Sequence, residues 1–379
     1  MLKIGAMMGP KVAVVYPDTI KEWDLNKPEM RIPIILKKLG MAPVIIAPGS
    51  RVGEKTGIPE IILLQDYMIN STLDPARQLK LALQLNKLVK QEKPDVLWFY
   101  LDFVAAAIVK MLNPRIKIVY RVDIEEDSFD KMPYPKWMIR FAMWVRAITG
   151  FLLITQTQYN YDMTVALAPV TRAKMRILRC GVPENLILKK GEKSGKKKVI
   201  LCIARIARVK RLEMLIRSFA KLSSKYPGWS IRLVGPVWDE QYFKELKKQV
   251  KCLGLVNKVK FLGYISDKRI RNEYLDASIF CLPSDRESPA AVRGEAMGMG
   301  VPIVTTATVG SEYVKGKGIV IPIGDEDALT NGLDTYMGSK EAREEAGARE
   351  LAFAKTISIN KVTEYILSEL GYKGIVVDI

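Results

Sequence analysis

The sequence predicts an α/β protein made of two doubly wound domains, and three observations carry that reading. Short apolar strands alternate with helix-length amphipathic stretches along most of the 379 residues, the pattern of a parallel sheet covered by helices on both faces. The length suffices for two full cores at roughly 100–200 residues per domain. A polar, basic run with nothing to bury, KKGEKSGKKK at 189–198, falls near the middle. The expected partition is a first domain over 1–185, a linker over 186–198, a second domain over 199–350, and a helical segment over 351–379 that returns to the first domain.

In the first half, 11–16 (KVAVVY) reads as a strand, and 2–8 competes with it for the place of first central strand. A loop over 18–26 leads to a helix over 27–39 interrupted near Pro33, then a strand over 43–47. Apolar residues recur at helical spacing over 79–89, followed by a buried strand at 95–100 (DVLWFY), an apolar helix at 102–112 and a strand at 116–120. Ligands of such sheets bind beyond the carboxyl ends of the strands. The loop at that point is RVDIEED, 121–127, whose acidic spacing fits no known metal loop. Next, 135–150 reads as a helix with Trp137, Phe141, Trp144, Val145 and Ile148 on one face and Lys136, Arg140 and Arg146 beside it. Such a helix either closes the core of the domain or lies in a bilayer interface, rings in the acyl boundary and cations at anionic head groups. A strand at 151–155 and the stretch 170–178 lead to RCGVP at 179–183.

The second half opens on a strand at 199–204 (VILCIA), with Arg205 directly after it and Lys210 five residues on. Lys210 opens a helix whose buried stripe is Leu212, Leu215, Ile216 and Phe219. A guanidinium and an ammonium in a strand-to-helix loop can neutralise a diphosphate. A strand at 230–234 ends in Gly235, and an amphipathic helix, a strand at 258–262, the segment Gly263-Tyr264-Ile265 and a helix at 270–277 follow. The apolar strand at 278–282 breaks at Pro283. Ser288 is then a natural N-cap, with Pro289 at the first helical position, where a missing N–H costs nothing. The helix runs to about 297, Gly298 and Gly300 supply the stop, and 301–304 is a β-branched strand. Glu287 and Glu295 bracket this helix; Glu295 lies seven residues after Ser288, roughly 10 Å along the axis on nearly the same face. Two carboxylates so placed can reach two separated hydroxyl-bearing rings, and the helix N-terminus favours an anionic link between them.

Composition narrows the function. With 49% hydrophobic and 26% charged residues the chain is globular, and its net charge of +18 points to anionic partners: nucleotides, nucleic acid or an anionic membrane surface. The absence of histidine excludes any imidazole chemistry. Cys180, Cys202, Cys252 and Cys281 show no metal spacing, and three sit in apolar contexts, as reduced core residues of a cytosolic protein do. No signal peptide is visible, no apolar run reaches the ~18 residues of a spanning helix, and no basic, aromatic-interleaved module of nucleic-acid-binding type is present.

The pair Glu287 and Glu295, continued by EAM at 295–297 and GVPIV at 300–304, resembles the E-x₇-E signature of retaining family-4 glycosyltransferases. Arg205 and Lys210 are similar to that family's G-R-x₄-K-G pattern, with Ala204 and Arg211 in place of the two glycines, and RCGVP resembles its hinge. The resemblance is strong over 199–335 and topological over 1–180. It implies a GT-B fold, two Rossmann-like doubly wound domains facing across a cleft, and transfer of a sugar with retention from a nucleotide-sugar donor, UDP- or GDP-linked, to a hydroxyl acceptor on a glycan or lipid. Glu287 is expected on the sugar hydroxyls and Glu295 on the ribose, with Ser288, Gly235 and Ile265 completing the donor site. Arg205 and Lys210 are expected on the departing diphosphate. Asp123 stands at or near the position where the family carries a histidine, and with Arg121 would close over the sugar. With no enzymic nucleophile in view, the implied path is front-face attack by the acceptor, assisted by the leaving phosphate. No cofactor or metal is implied, and the expected location is cytoplasmic, peripheral to the membrane face. Ser288-Pro289-Ala290 departs from the family's Gly-Phe-Gly, which leaves open a sugar-nucleotide epimerase or sugar-phosphate synthase on the same scaffold. A non-enzymatic binder of nucleic acid or sugar nucleotide is the rival of another class.

Overall fold

The structure is a computed structural model that describes residues 10–15, 28–47, 59–63, 74–99, 103–122, 135–192, 195–287 and 290–377. The chain divides into two compact units, Met1–Arg179 with Ile359–Ile379, and Cys180–Ser358.

The first unit is a parallel sheet of β1 (Val12–Val15), β2 (Val44–Ala47), β3 (Glu60–Leu63), β4 (Val96–Phe99), β5 (Lys117–Arg121), β6 (Leu152–Thr155) and β7 (Met175–Ile177), ordered β3-β2-β1-β4-β5-β6-β7. The connecting helices are α1 (Pro28–Lys38), α2 (Pro75–Glu92), α3 (Phe103–Leu112), α4 (Lys136–Thr149) and α5 (Gln158–Leu167). Because strand side chains alternate between faces, β1 supplies two cores. Ala13 and Val15 join Leu81 and Leu85 of α2 and Val109 of α3, while Val12 and Val14 join Ile32, Ile35 and Leu36 of α1. The central strands are buried on both sides, which is why they read as unbroken apolar runs.

The second unit is a parallel sheet of β8 (Val199–Ile203), β9 (Ser230–Val234), β10 (Val259–Gly263), β11 (Ile279–Leu282), β12 (Ile303–Thr306) and β13 (Ile319–Ile321), ordered β10-β9-β8-β11-β12-β13. Its helices are α6 (Leu212–Leu222), α7 (Glu240–Cys252), α8 (Asp267–Asp276), α9 (Ala291–Gly298), α10 (Glu326–Gly338) and α11 (Lys340–Thr356). The strand order reverses between β8 and β11, and in open α/β sheets this switch point, at the carboxyl ends of the strands, is where ligands bind.

The boundary falls earlier than the expected 185. Val182 N–H donates to Ile357 O at 3.0 Å and Leu188 N–H to Gly298 O at 2.7 Å, so this stretch is tied to the second unit ahead of the basic run. At the other end α11 stays with the second unit, and α12 (Ile359–Glu369) packs Ile359, Val362, Ile366 and Leu367 onto the first unit's sheet.

Three local readings need correction. The helix between the two glutamates begins at Ala291 with Ala290 at its cap, where no side chain bonds the cap. Arg293 N–H donates to Ala290 O at 3.0 Å, closing the first turn later than Ser288 and Pro289 predict. Glu287 is held by a tertiary ion pair described below. Sequence reading also missed β3, a short EIIL strand only partly buried. It missed α5 too, whose start is marked by Thr157 accepting from Asn160 N–H at 3.1 Å.

Candidate functional site

The carboxyl edge of the second sheet is stitched together loop by loop. After β8, Ala204 N–H donates to Val234 O and Ile206 N–H to Pro236 O, both at 2.9 Å, joining the loop to the one after β9. Gly235 N–H donates to Gly263 O at 2.9 Å, joining β9 to β10. Across the switch point, Asp285 N–H donates to Val209 O at 2.9 Å, and Thr306 Oγ1 donates to Ser284 O at 2.6 Å, which ties in β12. Gly235 is required at its place: φ is +141°, and a Cβ there would sit 2.1 Å from Ala204 O.

On this frame Lys210 and Glu287, 77 residues apart in sequence, form an ion pair, Nζ to Oε1 at 2.7 Å. The pair is nearly withdrawn from water, the side chains being 12% and 8% exposed. The buried Ser284 hydroxyl donates to the same oxygen at 2.6 Å. Cys202 lies within their field; burial pushes its thiol up to about 12, with Lys210 opposing and Glu287 adding to the shift. That thiol stays protonated and inert. The ion pair therefore bridges the loops after β8 and β11 at the switch point, where an anion would meet Lys210 and a polyol would meet Glu287.

Arg205 is exposed beside this pair's loop, its guanidinium 4.6 Å from the centre of the Trp238 ring. Stacking on an aromatic face holds a guanidinium's plane while leaving its donors outward. Glu295 is positioned from α8: the buried Tyr274 hydroxyl donates to its Oε2 at 3.1 Å. Burial, then the Glu295 charge, raises the Tyr274 pKa well above the ordinary phenol value, so it remains the donor. Ile265 is buried just past β10. Arg121 ends β5 in the first unit, half-buried and paired in register with Ile154. Asp123 and Ser288 lie outside the described residues, as does the rest of the acidic run to Asp127.

Sequence reasoning missed two members. Trp238 carried a signal, a lone aromatic after the Gly235-Pro236 break that ends a strand. Arg293 carried none, because a single arginine on a short helix reads as solvent-facing. It is instead fully buried, donating to Thr305 Oγ1 at 3.1 Å, Val309 O at 2.9 Å and Thr308 Oγ1. Burial lowers its pKa to about 10, and the charges of Glu287 and Glu312 pull it back up. A buried cation thus anchors the loop after β12 and sits in the field of the Glu287 carboxylate.

Arg211 occupies the place of the second glycine in the pattern that Arg205 and Lys210 resemble. Its φ of +51° shows that the left-handed turn is retained, and it forms ion pairs with Glu213 and Asp285, each at 3.3 Å.

Comparison with known proteins bears on the family and the fold. Residues 184–350 match the family described as "Glycosyl transferases group 1". An uncharacterized glycosyltransferase of Haemophilus influenzae is 25% identical over 227 residues, covering 58% of this chain and 63% of that protein. Mannosylfructose-phosphate synthase of Agrobacterium fabrum is 37% identical over 114 residues, covering 29% of this chain and 25% of that protein. The chain thus spans less than two thirds of either relative's length. Among solved structures, Anabaena Alr3699/HepE in complex with UDP superposes with a TM-score of 0.75 at 18% identity, covering 95% of this chain and 99% of that one. This likeness is one of fold, and the fold is GT-B.

Proposed function

Since residues 184–350 belong to the group 1 glycosyl transferases, we propose that the protein transfers a sugar, with retention of anomeric configuration, from a nucleotide-sugar donor to a hydroxyl acceptor carried on a glycan or lipid. The observation that supports it is the Lys210–Glu287 pair at the switch point of the second sheet. Donor binding puts a diphosphate on Lys210 and Arg205, sugar hydroxyls on Glu287 and ribose hydroxyls on Glu295. As the anomeric C–O bond to phosphate breaks, negative charge grows on the diphosphate, and the two cations stabilise that state more than the ground state. The acceptor oxygen bonds to the anomeric carbon on the face the phosphate leaves, and its proton passes to the departing phosphate oxygen. The donor's nucleoside is uridine or guanosine; a UDP complex of a fold neighbour favours uridine. The synthase relative makes a sugar phosphate the competing acceptor class.

The experiment is a calorimetric screen of UDP-, GDP- and ADP-sugars, then turnover of the tightest binder with glycan, lipid and sugar-phosphate acceptors. Anomeric configuration is read by proton NMR, with and without chelator. Retention and chelator-resistant turnover are expected. An inverted product, or activity abolished by chelator and restored by metal, defeats the mechanism and directs attention to the acidic run at 123–127. Salt-dependent nucleic-acid binding that no sugar nucleotide displaces defeats the enzyme reading altogether.

A further inference from the structure

Helix α4 carries two apolar stripes, and only one is used. Ile139, Met143 and Ala147 are buried against the first unit. Trp137, Phe141, Trp144 and Ile148, at i, i+4, i+7 and i+11, form a second stripe about 130° round the helix from the first, at about 100° per residue. These four are 68%, 55%, 51% and 54% exposed, and the Phe141 and Trp144 rings stack with centroids 6.2 Å apart. A helix that merely closes a core needs one stripe; here the larger rings point outward.

We propose that this outward stripe is a docking surface for an anionic lipid bilayer. The charge of the helix selects that occupant. Its fourteen residues include Lys136, Arg140 and Arg146 and no acid. Lys136 and Arg140 are exposed, whereas the Arg146 guanidinium lies 4.7 Å from the centre of the Phe103 ring. Large rings flanked by cations suit the boundary between acyl chains and anionic head groups, where Trp is at home. A second copy of the chain would bring the same cations and the same +18 charge against it, a repulsive encounter. Fourteen residues span about 21 Å, too short to cross a bilayer that needs about 20 residues. Among the described residues no helix is long and apolar enough to cross one. The helix therefore lies along the surface, buried on its Trp side. This docking requires no donor and stands apart from the transfer reaction.

The test is flotation of the full chain with vesicles of phosphatidylcholine alone or mixed equally with phosphatidylglycerol. The parent should float with the anionic vesicles at low salt and be released in about 1 M salt, where the screening length falls to about 3 Å. Lys136→Gln/Arg140→Gln should lose on the order of twentyfold in partitioning, about fivefold per cation near an anionic surface. Trp137→Ser/Trp144→Ser should abolish flotation while keeping the parent's melting temperature, because both rings are exposed. A parent that stays with the sample fraction at low salt, or a Trp variant that floats as well as the parent, overturns the proposal. So does light scattering that shows a concentration-dependent dimer of the parent, lost in the Trp variant, with no vesicle binding.

Discussion

Replacing Glu287 by Gln should change nucleoside-diphosphate affinity and turnover in opposite directions. In the structure the Lys210 ammonium is not waiting for a phosphate; it is bound to Glu287 Oε1 at 2.7 Å, with both side chains nearly out of water. A diphosphate that arrives must compete with a carboxylate for the cation and tolerate the carboxylate's charge. A charge-assisted hydrogen bond contributes about 1.5–3 kcal/mol and its neutral counterpart about 0.5–1.5. Gln keeps the shape and can still accept from Ser284 Oγ, yet releases about 1–1.5 kcal/mol of competition. UDP or GDP should therefore bind Glu287→Gln about five- to tenfold more tightly than the parent. Turnover of the sugar donor should fall by about 10², the scale of losing one preorganised group at the reacting sugar. Isothermal calorimetry with the free diphosphates, a melting curve and the rate with the donor chosen by screening give all three quantities. A variant with the parent's melting temperature and unchanged or weaker diphosphate affinity would refute the competition, and with it the placement of the diphosphate on Lys210.

Other outcomes follow from the same geometry. Glu295→Ala should weaken diphosphate binding by about 1–3 kcal/mol through lost ribose contacts. Tyr274→Phe, which removes the hydroxyl that orients Glu295, should weaken it less, and calorimetry reads both. Arg205→Ala should cut turnover about 10²–10³-fold without moving the melting temperature, because Arg205 is exposed; an equal loss of stability would make it structural. Arg211→Gly should be more stable than Arg211→Ala by about 1 kcal/mol in denaturant unfolding, because both lose the ion pairs but only glycine relieves the left-handed backbone. Glu350, buried on α11, accepts from Ile303 N–H at 3.3 Å while its Oε2 has no hydrogen-bond partner among the described residues, and burial raises its pKa well above the ordinary 4.5. The folded state keeps that proton to higher pH than the unfolded chain, so the associated stability is complete below 4.5 and lost as pH rises toward the folded value. Glu350→Gln, which does not ionise, should match the parent's melting temperature near pH 4 and exceed it above neutrality.

The two sheets were legible because a strand covered on both faces must be apolar at every residue, as VAVV at β1 and VLWF at β4 are. Strand β3 escaped for the converse reason: an edge strand with its ends exposed carries little apolar signal. In the site, the types and order of Arg205, Lys210, Glu287 and Glu295 were readable, but their pairing was not. Lys210 meets Glu287 because β8 and β11 are neighbours across the strand-order reversal, a long-range fact that no local spacing carries. The same limit hid Arg293, whose acceptors Thr305, Thr308 and Val309 lie 12 to 16 residues on.

Helix α4 shows where periodicity stops informing. Its Trp137–Phe141–Trp144–Ile148 stripe is the stronger apolar pattern, so sequence alone assigns it to the core as readily as to a membrane. The core instead takes Ile139, Met143 and Ala147. These smaller side chains let α4 lie close to α3, against which it packs, and leave the rings outside. An apolar stripe states that a face seeks cover; the neighbours decide whether the fold supplies it. Where the fold has already filled its core with a second, smaller stripe, the larger one is left for an external surface, and a helix bearing three cations and no acid limits that surface to an anionic one.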